Sequence, residues 1–102
     1  MEGGPTGDTV YRRIEFESVD DRLSEIIEGL IRDDGDVRRW VKEYIDAYDD
    51  YHGGIGAAHE VNAAERMLRR EIAKHLPEDI SGDWTPEEFA EGSVGVEFWV
   101  SG

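Results

Sequence analysis

Cysteine is absent from this 102-residue chain, and lysine, proline and long apolar runs are scarce. Without cysteine there can be no disulfide, no thiolate metal site and no cysteine nucleophile. No apolar run approaches the roughly 20 residues that a membrane-spanning helix needs. Residues 1–8 also lack the charged and apolar regions of a signal peptide. These absences predict a cytoplasmic protein with no membrane partner.

Basic residues are few. The chain has 11 Lys and Arg, only two of them Lys, against 25 Asp and Glu, which gives a formal net charge of −14. This charge repels nucleic acid and anionic membranes at long range, so we expect no direct contact with nucleic acid. An acid-rich, lysine-poor composition is typical of proteins from a salt-adapted or high-GC microbe or its virus. Alternatively, the carboxylates imitate a phosphate backbone, as in small viral inhibitors of nucleic-acid-binding enzymes.

Two segments near the ends of the chain alternate between apolar and polar residues. Residues 1–8 are Gly-rich and predict a flexible tail, and residues 9–102 are long enough for a single domain. In residues 9–17 and again in residues 93–100 the apolar side chains recur at every second position, with Arg12 as an exception in the first segment, which predicts two half-buried strands. We expect these strands to pair antiparallel and to be covered by helices.

Between the strands, apolar residues recur at three- and four-residue steps, which predicts amphipathic helices. A capping box of Ser18 and Asp21 begins the first helix, which ends in a short turn at residues 33–35. Asp36 then caps a second helix over residues 36–51. The short connection predicts that these two helices form a hairpin.

Two further helices follow a glycine-rich turn at residues 52–56. The third helix covers residues 57–76, and Pro77 marks its end. A short fourth helix begins with a capping box in the segment Thr85-Pro86-Glu87-Glu88 and with a Trp84–Phe89 hydrophobic staple. The predicted fold is therefore α+β in the order β-α-α-α-(α)-β, with three main amphipathic helices and a short fourth on a small antiparallel sheet.

Two pairs of carboxylates on the first two helices suggest a magnesium site. Glu25-x-x-Glu28 is followed by Glu43-x-x-Asp46, and this spacing resembles the acidic motif of the all-α NTP pyrophosphohydrolases over residues 25–46. The resemblance implies a Mg²⁺-dependent nucleotide hydrolase, because a hard cation needs several oxygen ligands. A helical wheel, however, places both pairs opposite the apolar stripes. Helices that pack by those stripes would turn the pairs away from each other.

A second candidate metal set surrounds the glycine-rich turn. Asp49 and His52 are one helical turn apart, and His59 follows the turn. Two imidazoles and a carboxylate can bind Zn²⁺ or Fe²⁺. The alternative is that these histidines are helix-end groups in contact with carbonyls or solvent. No residue pattern in the chain predicts a catalytic residue or a cofactor.

Three surfaces predict contact with a protein partner. The second helix has an acidic back, the third helix carries basic residues on its outer face, and one aromatic residue lies on the outward face of each strand. The residues of these surfaces are Glu43, Asp46, Asp49 and Asp50, then Arg66, Arg69, Arg70 and Lys74, and finally Tyr11 and Trp99. We therefore expect a non-enzymatic protein-interaction module whose partner is itself, as a homo-oligomer. The alternatives are the acidic nucleic-acid mimic and the magnesium-dependent hydrolase.

Overall fold

Two short strands form an antiparallel sheet that joins the beginning and the end of the described chain. The computed structural model describes residues 13–81, 85–91 and 95–101. Strand β1 is Ile14–Ser18 and strand β2 is Val96–Val100, with Ile14 opposite Val100. The predicted strand pairing is confirmed, and the inward side chains of Val96, Phe98 and Val100 are buried as expected. Residues 1–12, which include the predicted tail, and residues 93–94 lie outside the described residues.

The first helix begins with a different cap from the predicted one. Helix α1 is Asp21–Asp33, and the Asp20 side chain accepts hydrogen bonds from the backbone N–H groups of Arg22 and Leu23. The prediction of a Ser18–Asp21 capping box is wrong, because Ser18 is the last residue of β1 and its hydroxyl donates to the Asp20 carbonyl at 2.7 Å. The strand and the helix are thus separated by two residues only, and Asp20 satisfies the first free donors of the helix.

The second helix, in contrast, begins earlier than predicted. Helix α2 is Gly35–His52, and its N-cap is Asp34 rather than Asp36. The Asp34 side chain accepts from the backbone N–H groups of Asp36 and Val37 at 3.0 and 2.9 Å. Its own backbone N–H donates to the Leu30 carbonyl at the end of α1. One residue therefore ends one helix and begins the next.

Replacing Asp34 with alanine is expected to lower the free energy of unfolding by about 1 kcal/mol, because the N-terminal donors of α2 lose their acceptor. Asp36 lies in the first turn of α2, where the loss of a favourable helix-dipole contact is offset by the higher helix propensity of alanine. The D36A variant should therefore stay within about 0.5 kcal/mol of the native protein. Urea denaturation of both variants distinguishes the two caps, and a larger loss for D36A would contradict the cap at Asp34.

Three more helices complete the described chain. Helix α3 is Ala58–Ala73, helix α4 is Glu78–Ser81 and helix α5 is Pro86–Glu91. Helix α3 ends three residues earlier than predicted, and α4 was not predicted because a single turn is too short to show a helical period. The capping box of α5 is confirmed by a 2.8 Å hydrogen bond from the Thr85 backbone N–H to Glu88 and a 3.1 Å bond in return. Trp84 of the predicted staple lies outside the described residues.

The sheet and the four longer helices share one apolar core. Helix α3 packs against α2 on one side and against α5 on another, and α1 covers β1. The least exposed side chains of this core come from four of the helices: Leu23, Ile27, Val37, Val41, Ile45, Leu68, Ile72 and Phe89. The predicted α+β class is confirmed, with helices on one face of a two-stranded sheet. None of the helices in the described ranges is both long and apolar enough to cross a membrane.

Candidate functional site

The four carboxylates of the predicted magnesium site point to different parts of the surface. Glu25, Glu28, Glu43 and Asp46 are all exposed. Glu28 borders a groove beside β1, whereas Glu43 and Asp46 line a separate groove between α2 and α3. Within residues 13–81, 85–91 and 95–101, no three His, Asp or Glu side chains are close enough to hold one metal ion. The packing thus separates the two acid pairs, as the helical wheel predicts.

The second metal set, Asp49, His52 and His59, does not form a site either, because no three such side chains are grouped in the described residues and an arginine holds Asp49. Arg13 donates from both terminal nitrogens to the two oxygens of Asp49 at 2.7 and 2.8 Å. This hydrogen-bonded pair lowers the pKa of Asp49 and raises the pKa of Arg13, so both groups stay charged over a wide pH range. The His52 ring packs on Tyr48 with 4.2 Å between centroids. Asp49 therefore links the start of β1 to α2.

Three of the four residues of the predicted basic surface on α3 are exposed. Arg66, Arg70 and Lys74 are exposed, and Lys74 pairs with Glu71 at 3.2 Å. Arg69 is only 2% exposed, so its prediction as an outward residue is wrong. On a helical wheel Arg69 lies about 90° from the centre of the apolar stripe, which is a flank rather than the outer face. That flank is covered by α5 and β2.

Arg69 makes a buried set of contacts that the sequence did not reveal. Its Nη2 donates to the Val96 carbonyl at 2.6 Å, and its Nη1 donates to the Phe89 carbonyl at 3.4 Å. Its Nε donates to Glu65 one turn earlier at 2.9 Å. The guanidinium also lies 5.3 Å from the centre of the Phe98 ring. Arg69 thus joins α3, α5 and β2.

The outer face of the sheet is dominated by negative charge. Trp99 is 42% exposed, which confirms its outward orientation, but the residue opposite it is Glu15. Glu17 and Glu97 form the next exposed pair on the same face. Like charges that meet across an interface oppose association, so this face is poorly suited to a second copy of itself. Tyr11, the other aromatic residue predicted to face outward, lies outside the described residues.

A groove between α2 and α3 collects three of the predicted acidic surface residues. A turn at residues 53–57, in which Gly54 adopts a φ of 85° that favours glycine, reverses the chain and sets the two helices antiparallel. The groove has a volume of about 440 Å³ and opens to solvent. Its carboxylates are Glu43, Asp46, Asp50 and Glu60. We call it the acidic groove.

The floor of the acidic groove is apolar. Trp40 and Ala47 contribute from α2, and Ala63, Ala64 and Met67 contribute from α3. Small side chains at facing positions leave the space between the two helices unfilled. Sequence analysis found the acids of α2 as one face but missed the α3 half, because that half is defined only by how the two helices pack. The available signal was the pair Ala47 and Ala63, which lie at equal distances on either side of the turn at residues 53–57.

Part of the negative charge of the acidic groove has no counter-charge among the residues that the structure describes. Asp46 accepts from Lys42 at 2.8 Å, and Glu60 accepts from the backbone N–H of Ala57 at 3.2 Å. Within the described part of the chain, neither Glu43 nor Asp50 forms a side-chain hydrogen bond or ion pair. A cation brought to this groove would therefore find carboxylates beside an apolar surface.

Comparison of the chain with protein-family models, with curated proteins and with solved structures finds no match. The resemblance to the pyrophosphohydrolases therefore rests only on the spacing of the carboxylates in residues 25–46. Any assignment of function rests on the surfaces of this chain.

Proposed function

We propose that this chain is a cytoplasmic, non-enzymatic protein-interaction module that binds its partner in the acidic groove. The observation that carries the proposal is the combination of an apolar floor with Trp40 and Met67 and a border of four carboxylates. Protein interfaces have the same organisation, with aromatic residues and methionine enriched at the centre and polar groups at the rim. The cysteine-free sequence also suits a reducing compartment.

A second copy of the chain is one candidate partner for this groove. Arg66 and Arg70 are exposed on α3, and Met67, which lines the groove, lies between them in sequence. Across a twofold axis these arginines would approach the carboxylates of the other copy. The net charge of −14 on each chain opposes this association at low ionic strength. Self-association through the groove should therefore strengthen as salt is added.

The A63W variant is expected to abolish partner binding, because the indole fills the acidic groove without changing the charge of the chain. Ala63 is exposed, so the free energy of unfolding should change by no more than about 0.5 kcal/mol. The measurement is affinity capture from a lysate of the source organism, together with sedimentation of the purified protein over a range of concentration and salt.

The matched control is W99A, which removes an exposed aromatic residue from the sheet face and leaves the groove intact. The proposal expects W99A to retain the partner or the oligomer that A63W loses. Equal retention by A63W would exclude the groove as the binding site. A native protein that stays monomeric and captures nothing would overturn the proposed function itself.

A further inference from the structure

We infer that the partner segment held by the acidic groove is a basic amphipathic α-helix of about ten residues; this inference rests on the proposed function. The length follows from the α2 side of the groove, which runs from Trp40 to Asp50. The ten steps between these eleven residues, at about 1.5 Å each, give a groove about 15 Å long. A helix laid along it would present nearly three turns.

The walls of the groove favour a helix over an extended segment. Both walls are helices whose backbone groups are already hydrogen-bonded within α2 and α3, so the groove offers no strand edge for β-augmentation. A partner that enters it must satisfy its own backbone hydrogen bonds, and an α-helix does so. The facing alanines, Ala47 and Ala63, leave room for apolar side chains from such a helix.

The carboxylates follow the groove along its length, which defines the pattern of the partner. Glu43 lies with Trp40 and Met67 at one end, and Asp50 and Glu60 lie at the end next to the turn. The complementary helix has apolar residues on one stripe and Lys or Arg along the flanks of that stripe, at spacings of three or four residues.

The negative charge of the chain favours a basic helix over a second copy of the chain as the partner. The whole chain carries −14, and Glu43 and Asp50 in the groove have no ion-pair partner within the described residues. This field attracts a basic segment from a distance and repels another copy of the chain. Binding should therefore weaken between about 0.1 M and about 1 M salt, as the Debye length falls from about 10 Å to about 3 Å.

The probe that tests the inference is a fluorescein-labelled synthetic peptide with a leucine stripe at helical spacing and lysines on its flanks, titrated and followed by fluorescence anisotropy. One control peptide has glutamate in place of each lysine, and another has the same composition in scrambled order. Only the amphipathic basic peptide is expected to bind. Equal binding by the scrambled peptide would show attraction to charge alone and would overturn the inference.

Two matched variants locate the binding. E43Q/D46N/D50N removes three carboxylates from the groove and should weaken binding about tenfold, because exposed charge pairs contribute modestly each. E25Q/E28Q/E97Q removes the same formal charge from exposed positions outside the groove and should change the affinity by less than about twofold. Equal losses in the two variants would also overturn the inference. If no peptide binds but A63W still loses a natural partner, the groove is the interaction site and the basic helix is wrong.

Discussion

The R69A variant is expected to lose about 2–5 kcal/mol of unfolding free energy, because it removes a buried guanidinium together with its hydrogen bonds. The change removes the Nη2 donor of the buried Val96 carbonyl in β2 and the hydrogen bond to the Phe89 carbonyl in α5. The ion pair with Glu65 contributes less, since the Glu65 side chain is 27% exposed and can be solvated after the change. A domain of this size has a total stability of only about 5–15 kcal/mol. Thermal and urea denaturation should therefore show a melting temperature lowered by at least about 8 °C.

Arg70 supplies the matched control for Arg69. It is the next residue of α3, carries the same charge and is exposed. R70A should change the unfolding free energy by no more than about 0.5 kcal/mol. R69M separates the hydrogen bonds from the packing, because methionine keeps an apolar stem but has no donor. Similar stabilities for R69A and R70A would contradict the buried position of Arg69.

The elements of this fold could be predicted from sequence because their periods are strong. The alternation at residues 96–100 and the three- and four-residue steps in the long helices follow from a buried side and an exposed side. The first residues of the helices were harder to predict from the sequence. Asp33, Asp34 and Asp36 surround Gly35, and all three are good capping residues. Only the backbone geometry selects Asp34 among them.

The candidate site was predictable only in part, because a helical wheel describes one helix at a time. It grouped Glu43, Asp46 and Asp50 correctly on one side of α2. It could not supply the α3 residues that complete the groove, since their position depends on how the two helices pack. The same limit explains the misplacement of Arg69. The apolar stripe of α3 predicts its contact with α2. The flank that α5 and β2 cover carries no periodic apolar residues, so the sequence of α3 does not predict that it is buried.

The F89A variant is expected to lose about 3–5 kcal/mol of unfolding free energy, the usual loss for a large buried aromatic side chain. Phe89 is 1% exposed and belongs to α5, a helix of six residues. A helix this short is not stable alone in water, so its structure depends on the packing of Phe89 against α3. Chemical denaturation measures the loss, and hydrogen exchange should show faster exchange in α5. The exposed neighbour Glu87 gives the control, and E87Q should remain close to the native stability.

A double-mutant cycle tests whether Arg69 and Phe89 stabilise the same contact. The Arg69 guanidinium donates to the Phe89 carbonyl and lies 5.8 Å from the centre of the Phe89 ring. If F89A releases α5, one acceptor of Arg69 leaves with it, and the later removal of Arg69 has less to disrupt. The double variant should therefore lose less than the sum of the single losses, by about 0.5–3 kcal/mol. Strict additivity would mean that α5 stays in place without Phe89 and would contradict the dependence of this short helix on that side chain.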